Sequence, residues 1–261
     1  MKARACLALL FPALLVLPAA AAAPEKTVVK SYPLAPGGVV SVEAYKGSIR
    51  IATWEKAEVS VKARVVPDEP CADDAEKVER TEVDVEASPG RVSIRSDYDR
   101  VKRDGDWFSG WFGSCSSLPF VHYEITLPRS AEVRVKDFKS TIEVAGLDGD
   151  LELETYKGTV DVRGLSGALD LETYKGEARV ETAMKKDVRM ETYKGDLVVL
   201  VPKGAGLVLD VDPGRKGRFS SGLDVTAASR HEDDRVRETV GGGGALLRME
   251  TFKGELRVQA K

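Results

Sequence analysis

The sequence predicts an all-β fold, specifically a β-solenoid with about 18 residues and two short strands per coil. Three observations predict it. The pentapeptide ETYKG occurs at 154–158, 172–176 and 191–195, with near-copies EAYKG at 43–47 and ETFKG at 250–254. The first two intervals are 18 and 19 residues, and a step of 18 back from Tyr156 lands on Phe138, Lys139 and Ser140, a degenerate copy. Inside this period Gly158, Gly167 and Gly176 are nine residues apart, followed by TVDVR, ALDLE and EARVE. Fixed periods of this kind mark solenoids and arrays, and alternation of apolar with charged residues is the period-2 pattern of half-buried strands.

The elements follow in chain order. Lys2 and Arg4, the apolar run 6–17 and the alanine run before Pro24 have the form of a secretory signal peptide over 1–23, with cleavage near Ala22–Ala23. Its removal leaves residues 24–261 as a single solenoid domain with 37 basic against 42 acidic residues, a net charge of −5. That acidic balance argues against nucleic acid, which needs a basic face. Residues 39–66 read as a meander carrying the first corner. Residues 67–120 read as an insertion: DDAEKVER at 73–80 as a short capped helix, and VDVEASPGRVSIRS at 83–96 as two strands joined at Pro89–Gly90. VHYEITLP at 121–128 is a further strand.

In the repeats, Leu151, Leu153, Val160, Val162, Leu169, Leu171, Ala178, Val180, Val188 and Met190 should face inward, with Glu152, Asp161, Asp170 and Arg179 outward. The YKG segment should be a tight corner whose glycine takes φ > 0. One coil cannot bury enough apolar surface to fold alone, so the coils should form one cooperative body. Residues 213–244 are Gly-rich and charged, a loose excursion before ETFKGELRV returns to the repeat.

EAYKGSIRIATWEKAEVSV, the TYKG corners and GGGGALLRMETFKGELRV resemble the bacterial putative-adhesin family of exported β-solenoid domains. The resemblance covers about residues 30–261, with Lys in place of the usual Ser or Asn before the corner glycine. It implies a repeat scaffold of the cell envelope, periplasmic or at the surface, and carries over no catalytic residue and no cofactor.

Little in the chain reads as catalytic chemistry. His122 and His231 are far apart and no Cys/His cluster has zinc spacing. Asp148–Gly149–Asp150 reads as a strand-linking turn rather than a calcium ligand set. Glu154, Glu172 and Glu191 repeat regularly, whereas a glycosidase needs two carboxylates in distinct environments. A non-catalytic scaffold or adhesion module is the expectation, and a polysaccharide-binding or polysaccharide-active solenoid enzyme the alternative.

Three features remain. Cys71 and Cys115 form an even pair, which in an oxidising compartment suggests a disulfide closing a loop worth about 4 kcal/mol. Trp107, Phe108, Trp111 and Phe112 crowd a Gly/Ser-rich loop beside Cys115. They read either as a cap on an open end of the stack or as an anchor for a partner or a peripheral membrane contact. Stacked corners would align Phe138, Tyr156, Tyr174, Tyr193 and Phe252 in a strip, followed by Lys157, Lys175, Lys194 and Lys253. The strip either stabilises the stack or binds a glycan or an envelope protein. Residues 138–199 hold nine basic and thirteen acidic residues, which on composition argues against a polyanion there.

Overall fold

The computed structural model describes residues 23–68, 73–103, 117–223 and 235–261. In order these form β1 (Lys26–Pro33), β2 (Val39–Glu43), β3 (Lys46–Trp54), β4 (Glu58–Val66), α1 (Asp74–Arg80), β5 (Glu82–Ser88), β6 (Arg91–Asp97) and α2 (Asp99–Arg103). Then follow β7 (Phe120–Pro128), β8 (Glu132–Asp137), β9 (Lys139–Ala145), β10 (Leu151–Leu165), β11 (Leu169–Thr182), β12 (Val188–Lys194) and β13 (Leu197–Val201). The chain ends with β14 (Leu207–Asp212), β15 (Arg218–Ser221), β16 (Val236–Val240), β17 (Ala245–Lys253) and β18 (Glu255–Ala260). The strands make one open, all-β sheet that does not close on itself. Among the described residues no helix is long and apolar enough to cross a membrane.

The repeat pairs with itself in parallel. Leu151 lies opposite Leu169, Thr155 opposite Thr173, Gly158 opposite Gly176 and Val162 opposite Val180. All ten residues expected to face inward are buried. The strands are longer than expected: β10 has 15 residues and β11 has 14, where two strands of about five were predicted. Ladder pairing continues through the YKG segment instead of stopping at it. The segment still turns the chain, because Thr155 and Val160 both point inward although they are five positions apart. In an unbent strand, inward positions differ by an even number. The interval of 19 is absorbed between β11 and β12, where buried Met184 takes φ 53 and its N–H donates to Thr182 Oγ1 at 3.0 Å.

The reason for the corner glycine differs from the expected one. Gly158 and Gly176 are not among the residues with positive φ, although Gly47, Gly195 and Gly254 are. What all five share is the close approach of a neighbouring strand's backbone. A Cβ on Gly158 would lie 2.1 Å from Ser140 O, on Gly176 2.0 Å from Gly158 O, and on Gly195 1.6 Å from Gly176 O. Gly176, Gly195 and Gly254 each lie on the carbonyl of the preceding corner glycine, Gly158 on that of Ser140 and Gly47 on that of Val121, and no side chain fits between.

Stacking order is not chain order. Strands β2 and β3 lie between two other pairs of strands: β2 pairs in parallel with β6 and β8, and β3 with β7 and β9. Residues 39–66 are therefore no meander, since β2 and β3 do not pair with each other. At the other end β17 inserts between β12 and β14, and β18 between β13 and β15. Antiparallel strands flank the stack: β4 on β7, β1 on β4, β5 on β6, and β16 on β14. The segment at 73–80 is helical as expected, but Asp73 makes no side-chain cap; its carboxylate pairs with Lys77 at 3.0 Å.

Candidate functional site

The two displaced strand pairs bring all the YKG-type corners together. Tyr45, Phe138, Tyr156, Tyr174, Tyr193 and Phe252 form one file, with successive ring centroids 5.0 Å apart and interplanar angles between 2° and 13°. Tyr98 meets Tyr45 edge-on at 5.9 Å, and the Lys216 ammonium lies 5.8 Å from the Phe252 ring centre at the other end. Tyr45 is the member missed in the sequence. Its motif is plain, but its neighbour in the file is Phe138, 93 positions away, because β3 pairs with β9.

The rings are between 37% and 47% exposed, and stacking uses their faces. Solvent meets ring edges and the hydroxyls of four tyrosines. A sugar that binds by lying flat on an aromatic face finds no free face inside this file.

Two charged rows flank the rings. On one side run Glu154, Glu172, Glu191 and Glu250, in register across β10, β11, β12 and β17. Lys136 pairs with Glu154 at 3.1 Å, Arg189 with Glu191 at 3.0 Å and with Glu172 at 3.8 Å, and Arg248 with Glu250. These carboxylates share one kind of environment, unlike a catalytic acid and base. Between them and the rings lies a groove of about 770 Å³ with buried Thr155, Thr173, Thr192 and Thr251 along it. The Oγ1 atoms of Thr173 and Thr192 have no protein hydrogen-bond partner.

On the other side run Lys139, Lys157, Lys175, Lys194 and Lys253, all exposed. Lys157 lies opposite Lys175, Lys175 opposite Lys194 and Lys194 opposite Lys253. Among the described residues none of the five has a carboxylate within ion-pair distance, and Lys194 sits 5.2 Å from the Tyr193 ring centre. The near-even composition of 138–199 thus conceals sorting by side.

The sixth lysine of the row behaves differently. Lys46 is buried, donates to Asp68 at 2.8 Å and Ser117 at 2.9 Å, and lies 4.7 Å from the Phe120 ring centre. Burial pushes the Asp68 carboxyl up, but the hydrogen bonds from Lys46 and Ser117 outweigh it and hold it below its ordinary value. Asp137 is the reverse: burial raises it despite hydrogen bonds from Ser140 at 2.6 Å and Thr155 at 3.1 Å.

Other candidates have structural partners. His122 Nδ1 is 2.9 Å from Ser48 Oγ, and burial lowers its pKa. Asp150 accepts from Ala168 N at 2.9 Å and Lys186 Nζ at 2.9 Å, tying one coil to the next, while Asp148 pairs with Arg129 at 3.2 Å. Among the described residues no group of three His, Cys, Asp or Glu could hold a metal. Cys71, Cys115, Trp107, Phe108, Trp111, Phe112 and His231 lie outside the described residues, as does residues 1–22 of the predicted signal peptide.

No family model matches the sequence, and no curated protein does. Solved structures do match. A putative cell adhesion protein from Clostridium sporogenes is similar over 90% of this chain and 100% of its own, at 13% identity and a TM-score of 0.50. A putative adhesin from Bacteroides fragilis covers 90% of this chain and 97% of its own, at 8% identity and a TM-score of 0.29. At such identity the likeness is one of fold. The fold resembles that of the C. sporogenes protein.

Proposed function

We propose that the protein is an exported, non-catalytic module of the bacterial cell envelope, a β-solenoid that attaches to an envelope protein or glycan through its corner strip. One observation carries this reading: six aromatic rings in an unbroken file, flanked by a carboxylate row and an unpaired lysine row. Stability alone accounts for the rings, but not for five neighbouring ammonium groups. Adjacent lysines at the ~4.8 Å strand spacing repel by roughly 0.9 kcal/mol even in water, so the row works against the stack. Export rests on the signal-like residues 1–23, and the name of the C. sporogenes protein points the same way.

A carbodiimide, which joins lysine amines to the carboxylates of a protein or of an acidic glycan, tests it on intact cells. Crosslinks to one reproducible partner should leave from Lys157, Lys175 and Lys194 rather than from Lys62, which pairs with Glu124 on another face. Replacing Tyr156, Tyr174 and Tyr193 together by Phe keeps the stack and removes three hydroxyls. Reduced capture at an unchanged melting temperature would assign contact to the ring edges. Capture spread evenly over all surface lysines would overturn the reading.

A further inference from the structure

Building on the attachment reading, we infer that the lysine row is the docking site for a single extended chain of acidic polysaccharide. The chain would run along the stack, one carboxylate near each ammonium, with sugar hydroxyls against the phenol edges of the neighbouring tyrosines.

Charge sets the first constraint. Lys139, Lys157, Lys175, Lys194 and Lys253 are exposed and unpaired among the described residues, and successive members lie on adjacent paired strands. At ~4.8 Å per strand the five span roughly 19 Å. A polyuronate bears one carboxylate per sugar, a linear repeat of the same order, so an extended chain can meet each lysine in turn.

Width sets the second. Glu154 is three residues from Lys157, so the glutamate row runs at most roughly 10 Å away, within about one Debye length at 0.1 M salt. The glutamate row is largely neutralised by Lys136, Arg189 and Arg248, but a nucleic-acid duplex or a flat anionic membrane would also cover Glu177 and Asp196, which lie just beyond Lys175 and Lys194 with no cation at ion-pair distance among the described residues, and be repelled there. A narrow chain can lie on the lysines alone. The flank beyond the lysines adds polarity: Ser48, Thr141 and Thr159 occupy it at one end, whereas Glu177 lies opposite Thr159 and continues it toward Asp196. The field is therefore more positive at Lys157, flanked by Thr159, than at Lys175 and Lys194, flanked by Glu177 and Asp196, while the Asp68 carboxylate lies near enough to Lys139 to be lowered by it. The stacked ring faces exclude flat sugar stacking, so recognition falls to the ammonium groups and the tyrosine hydroxyls.

The test is binding of alginate oligomers, measured calorimetrically from low to physiological salt. Cello-oligomers, a single-stranded oligonucleotide and anionic phospholipid vesicles serve as comparisons. Alginate should bind and weaken steeply with salt, with cello-oligomers inert and the other anions weaker. Lys139→Gln, Lys157→Gln and Lys175→Gln together should weaken alginate at least tenfold with no loss of melting temperature. Lys253→Gln alone should matter less than Lys157→Gln. Glu154→Gln, Glu172→Gln and Glu191→Gln together should tighten binding, which keeps the inference testable if the lysine variant misfolds. No alginate binding at low salt, binding indifferent to both sets, or tighter binding of the oligonucleotide or vesicles overturns it. Strip crosslinks to a protein partner would also overturn it while leaving the attachment reading intact. Evenly scattered crosslinks would fail that reading instead.

Discussion

Lys46 and Lys175 occupy the same place in the same tripeptide, YKG, and are different chemical objects. Lys175 is exposed between two other lysines; Lys46 is buried against Asp68, Ser117 and the Phe120 ring. The local backbone does not make the difference, because both corners place an aromatic in the file and a glycine against a neighbouring carbonyl. The neighbours do. In the central coils another repeat lies on each side, whereas residues 117–121 and Asp68 cover the first corner. The motif fixes geometry, and the adjacent chain decides whether the lysine is a structural ion or a surface charge.

The largest expected effect concerns what the two corners share. A Cβ on Gly47 would lie 2.0 Å from Val121 O, and one on Gly176 2.0 Å from Gly158 O, but only Gly47 has positive φ, at 137°. If close approach is the requirement, Gly176→Ala should cost about 3 kcal/mol or more in urea unfolding, at or above the usual range for overpacking, and Gly176→Val more still. Gly204 is the control: its φ is +73°, and nothing lies within 4 Å of its Cβ position. Gly204→Ala should cost only the left-handed penalty of roughly 1–2 kcal/mol. Equal costs at 176 and 204 would break the stacked-glycine account.

Next come the lysines themselves. Lys46→Met strands Asp68 beside a buried apolar side chain and should cost about 2 kcal/mol, below the range for fully buried pairs because Asp68 is partly exposed. Lys175→Met should leave the unfolding midpoint unchanged or raise it. Tyr174→Ser removes one ring from between two others. At roughly 0.5–1.5 kcal/mol per stacked pair it should cost about 2 kcal/mol, less than Gly176→Val. Calorimetric melting of the three variants checks all of this, and a costly Lys175→Met would mean an ion pair that the exposed row does not show.

The inward and outward positions of the central repeats were legible in the sequence because their contacts recur at a fixed offset. Leu151 meets Leu169 and Glu154 meets Glu172, and such pairings are visible as periodicity. The ends were not legible in this way. Nothing local says that β2 inserts between β6 and β8, or β17 between β12 and β14, since a swapped order leaves each segment's own pattern unchanged. Hence Tyr45 is absent from the strip that the sequence predicts, and 39–66 reads as a meander. The glycine corner was placed correctly but explained by φ, because a carbonyl from 18 residues away leaves no mark on the pentapeptide. Charge sorting was hidden for a related reason. Glu154 and Lys157 are near neighbours in the chain, yet the bent corner sends them to opposite sides of the rings.

The smallest effect separates the carboxylates near the two kinds of corner. Asp68 has a folded pKa below its unfolded value, so its stabilisation is present above the ordinary carboxylate range and is lost as pH falls through the folded pKa. Asp137 is raised by burial; it accepts from the Ser140 and Thr155 hydroxyls and from the Ser140 and Phe138 backbone N–H groups but has no cation at ion-pair distance among the described residues, so ionising it in the folded state costs stability. Below the ordinary carboxylate range both states of Asp137 are protonated, and the cost is absent. It grows as pH rises past the unfolded value and levels off above the folded one. Asp137→Asn keeps an acceptor for Ser140 and offers Thr155 a donor, so it should gain on the wild type as pH rises and hold that gain at neutrality. Asp68→Asn should do the opposite, losing most at neutrality and least in acid. Urea unfolding of both variants across the acid range reads the two slopes, and slopes of the same sign would show that burial, not the neighbouring lysine, governs both carboxylates.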